Sequence, residues 1–334
     1  MKVAINGLGR IGRAALKIIL DTPQLELVAV NDIVPAENIV YLLKYDTVYG
    51  RYEKTVEIDG ENLIIAGKTF HYSQEKDPAR LPWSSLGVDV VLECTGVFTK
   101  REDLEKHVQA GASYVILSAP AKSDDIATVV HGVNTADGNT NIIACASCTT
   151  NCITPVVEII GRRIGIQKAI MTTVHAYTAS QAIVDAQNKR FERGRAGAAN
   201  FVPTSTGAAL ATAKALPELD KLFDGIAVRG PVAVGSLADI VLVTERKTSV
   251  DEINQIFVDE AASERYRGIV GVTEDPIVSS DIIKDPRASI IDLGMTRVVD
   301  GDLVKILSWY DNEWGFTNQM VREVVKIAQA AEEM

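Results

Sequence analysis

"KVAINGLGRIGRAALKIIL" (Lys2–Leu20) decides how the chain folds. Lys2–Asn6 reads as a short buried strand, and the apolar spacing of Ala14, Ala15, Leu16, Ile18 and Ile19 reads as a helix. Between them Gly7-Leu8-Gly9-Arg10-Ile11-Gly12 forms a G-x-G-x-x-G pattern in the strand-to-helix setting that gives it meaning. Gly7 permits the tight turn, Gly9 removes a side chain where a pyrophosphate approaches, and Gly12 lets the helix pack close to the strand. The helix start adds unpaired N–H groups and a positive dipole end. A second strand-like run, "LELVAVND", ends at Asp32, twenty positions past Gly12. A carboxylate there accepts from ribose hydroxyls and repels a 2′-phosphate, so the pattern predicts NAD in preference to NADP. A plain tight turn and a strand-end acid would use the same residue types. The ordered run of strand, glycines, helix, strand and acid favours the dinucleotide.

Further runs extend the pattern. "DVVLECTG" (Asp89–Gly96) and "YVILSAP" (Tyr114–Pro120) read as strands, with "KREDLEKHVQAGA" as a helix between them. This alternation predicts a parallel α/β sheet whose ligands sit beyond the carboxyl ends of the strands. Thr95, Gly96 and Ser118 lie at such ends and are candidate cofactor contacts, although ordinary turns use the same residues. Composition agrees with a globular protein: 334 residues imply two domains, and 47% of them are hydrophobic. The formal net charge of -10 argues against a nucleic-acid partner. No apolar run is long enough to span a bilayer, and "MKVAINGLGR" carries no signal core, so a cytoplasmic protein is expected.

Three of the four cysteines fall within "ACASCTTNCITP" (Ala144–Pro155). Their spacing fits neither a disulfide framework nor a paired C-x-x-C metal site, so no metal is expected. "NIIACAS" reads as a last strand of the first half, and Ser147 as the cap of a helix running to near Gly165. Pro155 within it predicts a kink or an irregular start. Cys148 then sits in the first turn, where the dipole and free N–H groups favour a thiolate. Cys145 in the strand and Cys152 one turn deeper read as packed thiols. A thiolate needs a partner. His175 ends the strand-like "KAIMTTVH", whereas His71, His107 and His131 fall on turns or a helix of the first half. The second half alternates strands ("GIAVRG", "ADIVLVTER", "ASIIDLG", "LVKILSWYD") with helices, which predicts a mixed sheet with helices on one face.

"INGLGRIGR", "LLKYDTVYG", "DVVLECTGVF", "ASCTTNC", "TTVHAYT", "PTSTGAA" and "SWYDNEWGF" occur in this order over nearly the whole chain. Together they resemble the phosphorylating glyceraldehyde-3-phosphate dehydrogenases. The resemblance implies a Rossmann-type NAD-binding domain (1–147), an α+β catalytic domain (148–312) and a C-terminal helix (313–334) packing back on the first. It implies Cys148 as nucleophile and His175 as its base. It further implies that Ser147, Thr149, Thr178, Arg193, Thr206, Gly207 and Arg229 line two anion sites, for an aldehyde phosphate and for inorganic phosphate. Arg10, Ile11, Asp32, Ser118 and Asn312 would contact NAD, with Asn312 orienting the nicotinamide amide. A homotetramer acting in glycolysis or gluconeogenesis completes the expectation.

Some positions depart from the family pattern. Cys145 stands where asparagine is common, Gly230 follows Arg229 where valine is common, and "VAVGS" replaces a stretch with proline and asparagine. Ala186-Gln187 replaces the Leu-Pro of NAD-specific members, so NADP is expected as a weaker second cofactor. Two other readings stay open at this level: an erythrose-4-phosphate dehydrogenase, which usually lacks "AYT" and "TSTGAA", and a non-catalytic NAD-binding redox sensor.

Overall fold

The computed structural model describes residues 1–136 and 140–332. It divides into two compact units, Met1–Val129 with Thr135–Ala146 and Met320–Met334, and Val130–Asn134 with Ser147–Gln319. The short segment Val130–Asn134 therefore groups with the second unit, and the helix Trp314–Glu332 belongs to the first only from Met320 onward.

The first unit is built on a sheet whose strand order is Ala127–Thr128, Ile142–Ala144, Tyr114–Leu117, Val90–Glu93, Lys2–Asn6, Glu26–Asn31, Lys68–Ser73, Asn62–Ile65 and Val56–Asp59. Neighbours run parallel as far as Lys68–Ser73, and the last two pairings are antiparallel. Central strands such as Val90–Glu93 are buried at every position, as a sheet covered on both faces requires. Lys2–Asn6 lies between Glu26–Asn31 and Val90–Glu93, so the strand order reverses there. Ligands of open α/β sheets collect outside such a reversal. His71 sits within the strand Lys68–Ser73 and not on a turn or helix. That strand pairs parallel with Glu26–Asn31 and antiparallel with Asn62–Ile65, burying Phe70 and Tyr72 and leaving His71 half-buried on the other face.

The glycine loop behaves as its spacing requires. Gly7 has φ +93°, and a Cβ there would lie 2.7 Å from the Thr95 nitrogen. A Cβ on Gly12 would lie 1.8 Å from the Gly7 carbonyl oxygen. Gly9, the N-cap of the helix Arg10–Leu20, faces open space and brings no capping side chain.

The second unit carries a mixed sheet in the order Val202–Ser205, Phe223–Gly230, Ile166–Ala176, Ser236–Thr244, Leu303–Tyr310, Ser289–Asp292 and Val270–Thr273, with Arg297–Val299 also paired to Leu303–Tyr310. Ser236–Thr244 alternates buried and half-buried residues, the period-2 signature of a sheet with one face on the core. That face packs on the helices Cys148–Arg163 and Val250–Ala262 through Ile153, Val157, Ile160, Ile240, Ile306 and Phe257. The helix Cys148–Arg163 runs through Pro155 as a single α-helix. The α/β class with a mostly parallel and a mixed sheet is thus the one anticipated.

Gly12→Ala should destabilise the fold by about 1–3 kcal/mol or more, because the blocking atom is backbone and cannot rotate away. Gly9→Ala should stay within about 1 kcal/mol of wild type, the cost of a poorer cap. Urea midpoints of the two variants check this, and equal losses would contradict the packing.

Candidate active site

Local structure brings the reactive groups of the second unit together. Ser147 caps the helix Cys148–Arg163: its hydroxyl accepts from the Thr150 N–H at 3.1 Å. This sets Cys148 in the first turn with its own N–H and that of Thr149 near the sulphur. Strand Ile166–Ala176 runs parallel to Phe223–Gly230, in a register that sets His175 opposite Arg229. The result is a compact cluster. Cys148 Sγ lies 3.3 Å from His175 Nε2. His175 Nδ1 lies 2.7 Å from the Ala176 carbonyl, which also accepts from Arg229 Nη1 at 3.0 Å. Arg229 Nη1 also lies 2.9 Å from His175 Nδ1, so the contacts admit two tautomers. In one, Nδ1–H donates to the carbonyl and the Nε2 lone pair faces the thiol, the form in which Nε2 can act as a base; in the other, Nδ1 accepts from Arg229 and Nε2–H faces the sulphur.

Charge is costly here. Burial pushes the Cys148 thiol up, outweighing Arg229, Thr149 and the helix-start N–H groups, which all favour the thiolate. The sequence emphasised the helix start alone, and desolvation is the larger effect. Burial, then Arg229, lowers His175 to about 3. Cys148 keeps partial exposure while His175 is buried. Burial also lowers Arg229, and its Nε is buried without a hydrogen-bond partner among the described residues. A buried cation with an unpaired N–H is a ready anion receptor.

The remaining candidates fall into groups. The Thr149 hydroxyl meets Tyr310 Oη at 2.8 Å. Thr178 Oγ1 lies 2.8 Å from Ser180 Oγ, and Arg193 donates to Thr204 Oγ1 at 3.2 Å and to Ser180 Oγ at 3.4 Å. Thr206 and Gly207 serve the start of the helix Ala208–Ala215. Asn312 Oδ1 accepts from Gly235 N–H at 3.2 Å and from the Ser236 hydroxyl at 3.0 Å, which fixes its amide. Cys152 is fully buried against Ser308, and Cys145 is buried in the first unit. Tyr310 was not singled out from sequence. It bridges Thr149 and Thr173 and stands edge-on to His175 with ring centroids 5.9 Å apart. Only its position in "SWYDNEWGF" hinted at a role.

In the first unit a cleft of about 420 Å³ is lined by Gly7, Gly9, Asp32 and Thr95 among others. Asp32 Oδ2 accepts the Leu8 N–H at 2.6 Å and Oδ1 the Val34 N–H at 3.0 Å. Arg10, Ile11, Gly96 and Ser118 do not line this cleft. Arg10 pairs with Asp46 and lies over the Tyr49 ring. The open approach at Gly9, the uncapped helix start and the acid at the strand end suit a dinucleotide.

A strand–glycine–helix cleft in one unit and a cysteine–histidine–arginine cluster in the other define a nucleotide-dependent oxidoreductase. Residues 1–101 match the family model "Glyceraldehyde 3-phosphate dehydrogenase, NAD binding domain", and residues 147–312 match "Glyceraldehyde 3-phosphate dehydrogenase, C-terminal domain". The glyceraldehyde-3-phosphate dehydrogenase of Streptomyces coelicolor is 47% identical over 96% of this chain and 96% of its own length. Those of Zymomonas mobilis (44% identical, 98% and 99% covered) and Geobacillus stearothermophilus (44% identical, 98% and 98% covered) are similar too. The chain belongs to the glyceraldehyde-3-phosphate dehydrogenase family, and its cofactor is NAD. No described helix is long and apolar enough to cross a membrane.

A histidine held neutral by burial has a folded-state pKa below its unfolded one, so its contribution to stability is present above the ordinary histidine range and is lost as pH falls. The stability difference between wild type and His175→Asn should therefore shrink below about pH 6.5, by up to about 1.4 kcal/mol per pH unit, until about pH 3. Denaturation of both proteins across this range checks it, and a pH-independent difference would refute a neutral resting imidazole.

Proposed function

We propose that Cys148 and His175 carry out the phosphorylating oxidation of glyceraldehyde 3-phosphate to 1,3-bisphosphoglycerate. The observation that carries this reading is the 3.3 Å approach of Cys148 Sγ to His175 Nε2 beside the unpaired Nε of Arg229. Cys148 sulphur adds to the aldehyde carbon as its proton passes to Nε2, and the carbonyl oxygen then takes that proton, giving a thiohemiacetal. His175 Nε2 next accepts the hydroxyl proton as the carbon loses hydride and becomes a thioester carbonyl. Bound NAD supplies the acceptor for that hydride. A phosphate oxygen attacks the thioester carbonyl, the C–S bond breaks, and the sulphur takes back a proton from His175. A thioester keeps enough of the oxidation energy to form the acyl phosphate.

The anion groups divide by position. Arg229 and Thr149 adjoin the reacting sulphur, whereas Thr178 and Arg193 form a separate cationic and hydroxyl group with Ser180 and Thr204. Ser147, Thr206 and Gly207 complete the two phosphate sites through helix starts. The first domain (1–147) binds the cofactor at Gly7, Gly9, Arg10, Ile11, Asp32, Thr95, Gly96 and Ser118. The catalytic domain (148–312) contributes Asn312, whose Oδ1 is held by Gly235 and Ser236, and a C-terminal helix (313–334) completes the first domain. The protein works in the cytoplasm as a homotetramer. Phe201, Ile226, Ile170 and Leu210, all more than half exposed, supply apolar surface for contacts between copies.

NADH formation that requires both aldehyde and phosphate tests the reaction. Cys148→Ser should abolish it, while Cys145→Ser and Cys152→Ser retain most of it. His175→Asn should lower turnover about 10²–10⁴-fold with NAD binding preserved. Full activity in the Cys148 variant would sink the assignment.

Cofactor choice supplies another test. A hydrogen bond to a charged group contributes about 1.5–3 kcal/mol, so Asp32 should give NAD roughly a ten- to more than hundredfold advantage over NADP. Asp32→Ala should narrow that gap mainly by improving NADP. Turnover efficiency with each cofactor at one salt concentration decides it, and an unchanged ratio would move the discrimination elsewhere.

A further inference from the structure

Behind the cleft of the first unit lies a cluster of buried polar side chains that the reaction does not use. Glu93, at the end of the strand Val90–Glu93, is 0% exposed, as is His107. Glu93 Oε2 accepts from Asn6 Nδ2 at 2.6 Å and from His107 Nε2 at 3.1 Å. Its Oε1 accepts from the Thr95 N–H at 2.8 Å and from the Thr95 hydroxyl.

The direction of these bonds is fixed from outside. Trp83 Nε1, which can only donate, lies 3.0 Å from His107 Nδ1. Nδ1 therefore accepts and the ring proton sits on Nε2, facing Glu93. On the other side Asn31 is pinned by backbone: its Oδ1 accepts from Glu75 N–H and its Nδ2 donates to the Glu75 carbonyl, both at 2.9 Å. The same Nδ2 donates to Asn6 Oδ1 at 2.7 Å, which turns the Asn6 amide nitrogen toward Glu93. Both chains point inward, and the Thr95 N–H cannot reverse either. Three of these groups can only donate toward the carboxyl group and the fourth, the Thr95 hydroxyl, is free to donate as well, an arrangement that suits an ionised carboxylate. Burying that charge is costly, and the donors offset the cost.

Thr95 is where this network reaches the cleft. Thr95, Val97 and Phe98 line it, as do Asn6, Asn31 and Glu75. Thr95 also packs on the glycine loop, since a Cβ on Gly7 would lie 2.7 Å from its nitrogen and 2.9 Å from its Cα. We propose that Glu93 is a positioning residue for the dinucleotide: its carboxylate, anchored by Asn6 and His107, holds Thr95 against Gly7 and so sets the wall of the cofactor cleft. The proposal rests on that cleft being the NAD site.

Glu93→Gln separates this role from a merely structural one. Glutamine can keep its oxygen toward Asn6 and His107, which are buried and pinned. Its NH₂ group then opposes the Thr95 N–H, and the loop Thr95–Phe98 is the part able to yield. Calorimetric titration of the full-length protein with NAD should show a dissociation constant raised about tenfold or more, the loss of one charge-assisted hydrogen bond. At saturating NAD kcat should stay within about threefold, and alkylation of Cys148 without NAD should be unchanged. Lower thermal stability with unaltered NAD affinity would overturn the proposal. Should Glu93→Gln not fold, Thr95→Val removes one tether and Thr95→Ser keeps it. Weak NAD binding by the first with affinity restored in the second supports the proposal, and equal affinities overturn it. Wild-type protein that fails to bind NAD would overturn the reading of the cleft itself, a result distinguishable from normal binding in every variant.

Discussion

A half-buried guanidinium beside a buried imidazole is the constraint around which the second unit is arranged. Arg229 and His175 are paired across adjacent parallel strands, so the distance between them is set by the ladder and not by flexible side chains. Two groups that both gain a positive charge on protonation are thereby held together away from water. The imidazole stays neutral, and the carbonyl of Ala176 takes hydrogen bonds from both partners. The helix Cys148–Arg163 then delivers a thiol to the one imidazole nitrogen left free. Each element is ordinary by itself; their convergence at one sheet end is what creates the site.

The first unit solves the opposite problem. There a buried negative charge at Glu93 organises the ends of strands Lys2–Asn6, Glu26–Asn31 and Val90–Glu93, which stand side by side at the reversal of strand order. The polar residues Asn6 and Asn31 occupy the last positions of otherwise apolar strands. Backbone groups and single-polarity donors fix the direction of the hydrogen bonds among Asn31, Asn6, His107 and Glu93, so this wall of the cleft is ordered by its own contacts. Preorganisation of this kind lowers the ordering cost of binding.

Much of this was legible in the sequence because it depends on local rules. The glycine spacing, the acid at Asp32, the Ser147 cap and the position of Cys148 in a first turn all follow from chain-local geometry. The helix Cys148–Arg163 continues through Pro155, in its middle, where proline forgoes a single backbone bond and the surrounding apolar contacts hold the turn. What local rules cannot supply is pairing across the chain. Tyr310 reads as one more apolar residue of a strand, yet it bridges Thr149 and Thr173, more than a hundred positions away. Glu93 reads as a strand-end acid among turn residues, and its partners Asn6, His107 and Thr95 lie on three separate segments. The state of Cys148 was also beyond sequence reasoning, because desolvation depends on everything packed around the thiol.

The placement of Arg229 links substrate charge to proton transfer. Its field favours the thiolate at Cys148 and disfavours the imidazolium at His175. These effects oppose each other in moving a proton from sulphur to nitrogen, and burial of both groups favours the neutral form. In the proposed function, a phosphate dianion drawn to the unpaired Nε of Arg229 would oppose that cationic field. The imidazolium would then cost less and the thiolate more, so the gain goes to the step in which His175 takes a proton from the substrate hydroxyl and the sulphur is already bonded to carbon. Anion binding and acid–base strength would therefore be coupled in the proposed reaction, because a single half-buried cation stands beside both groups.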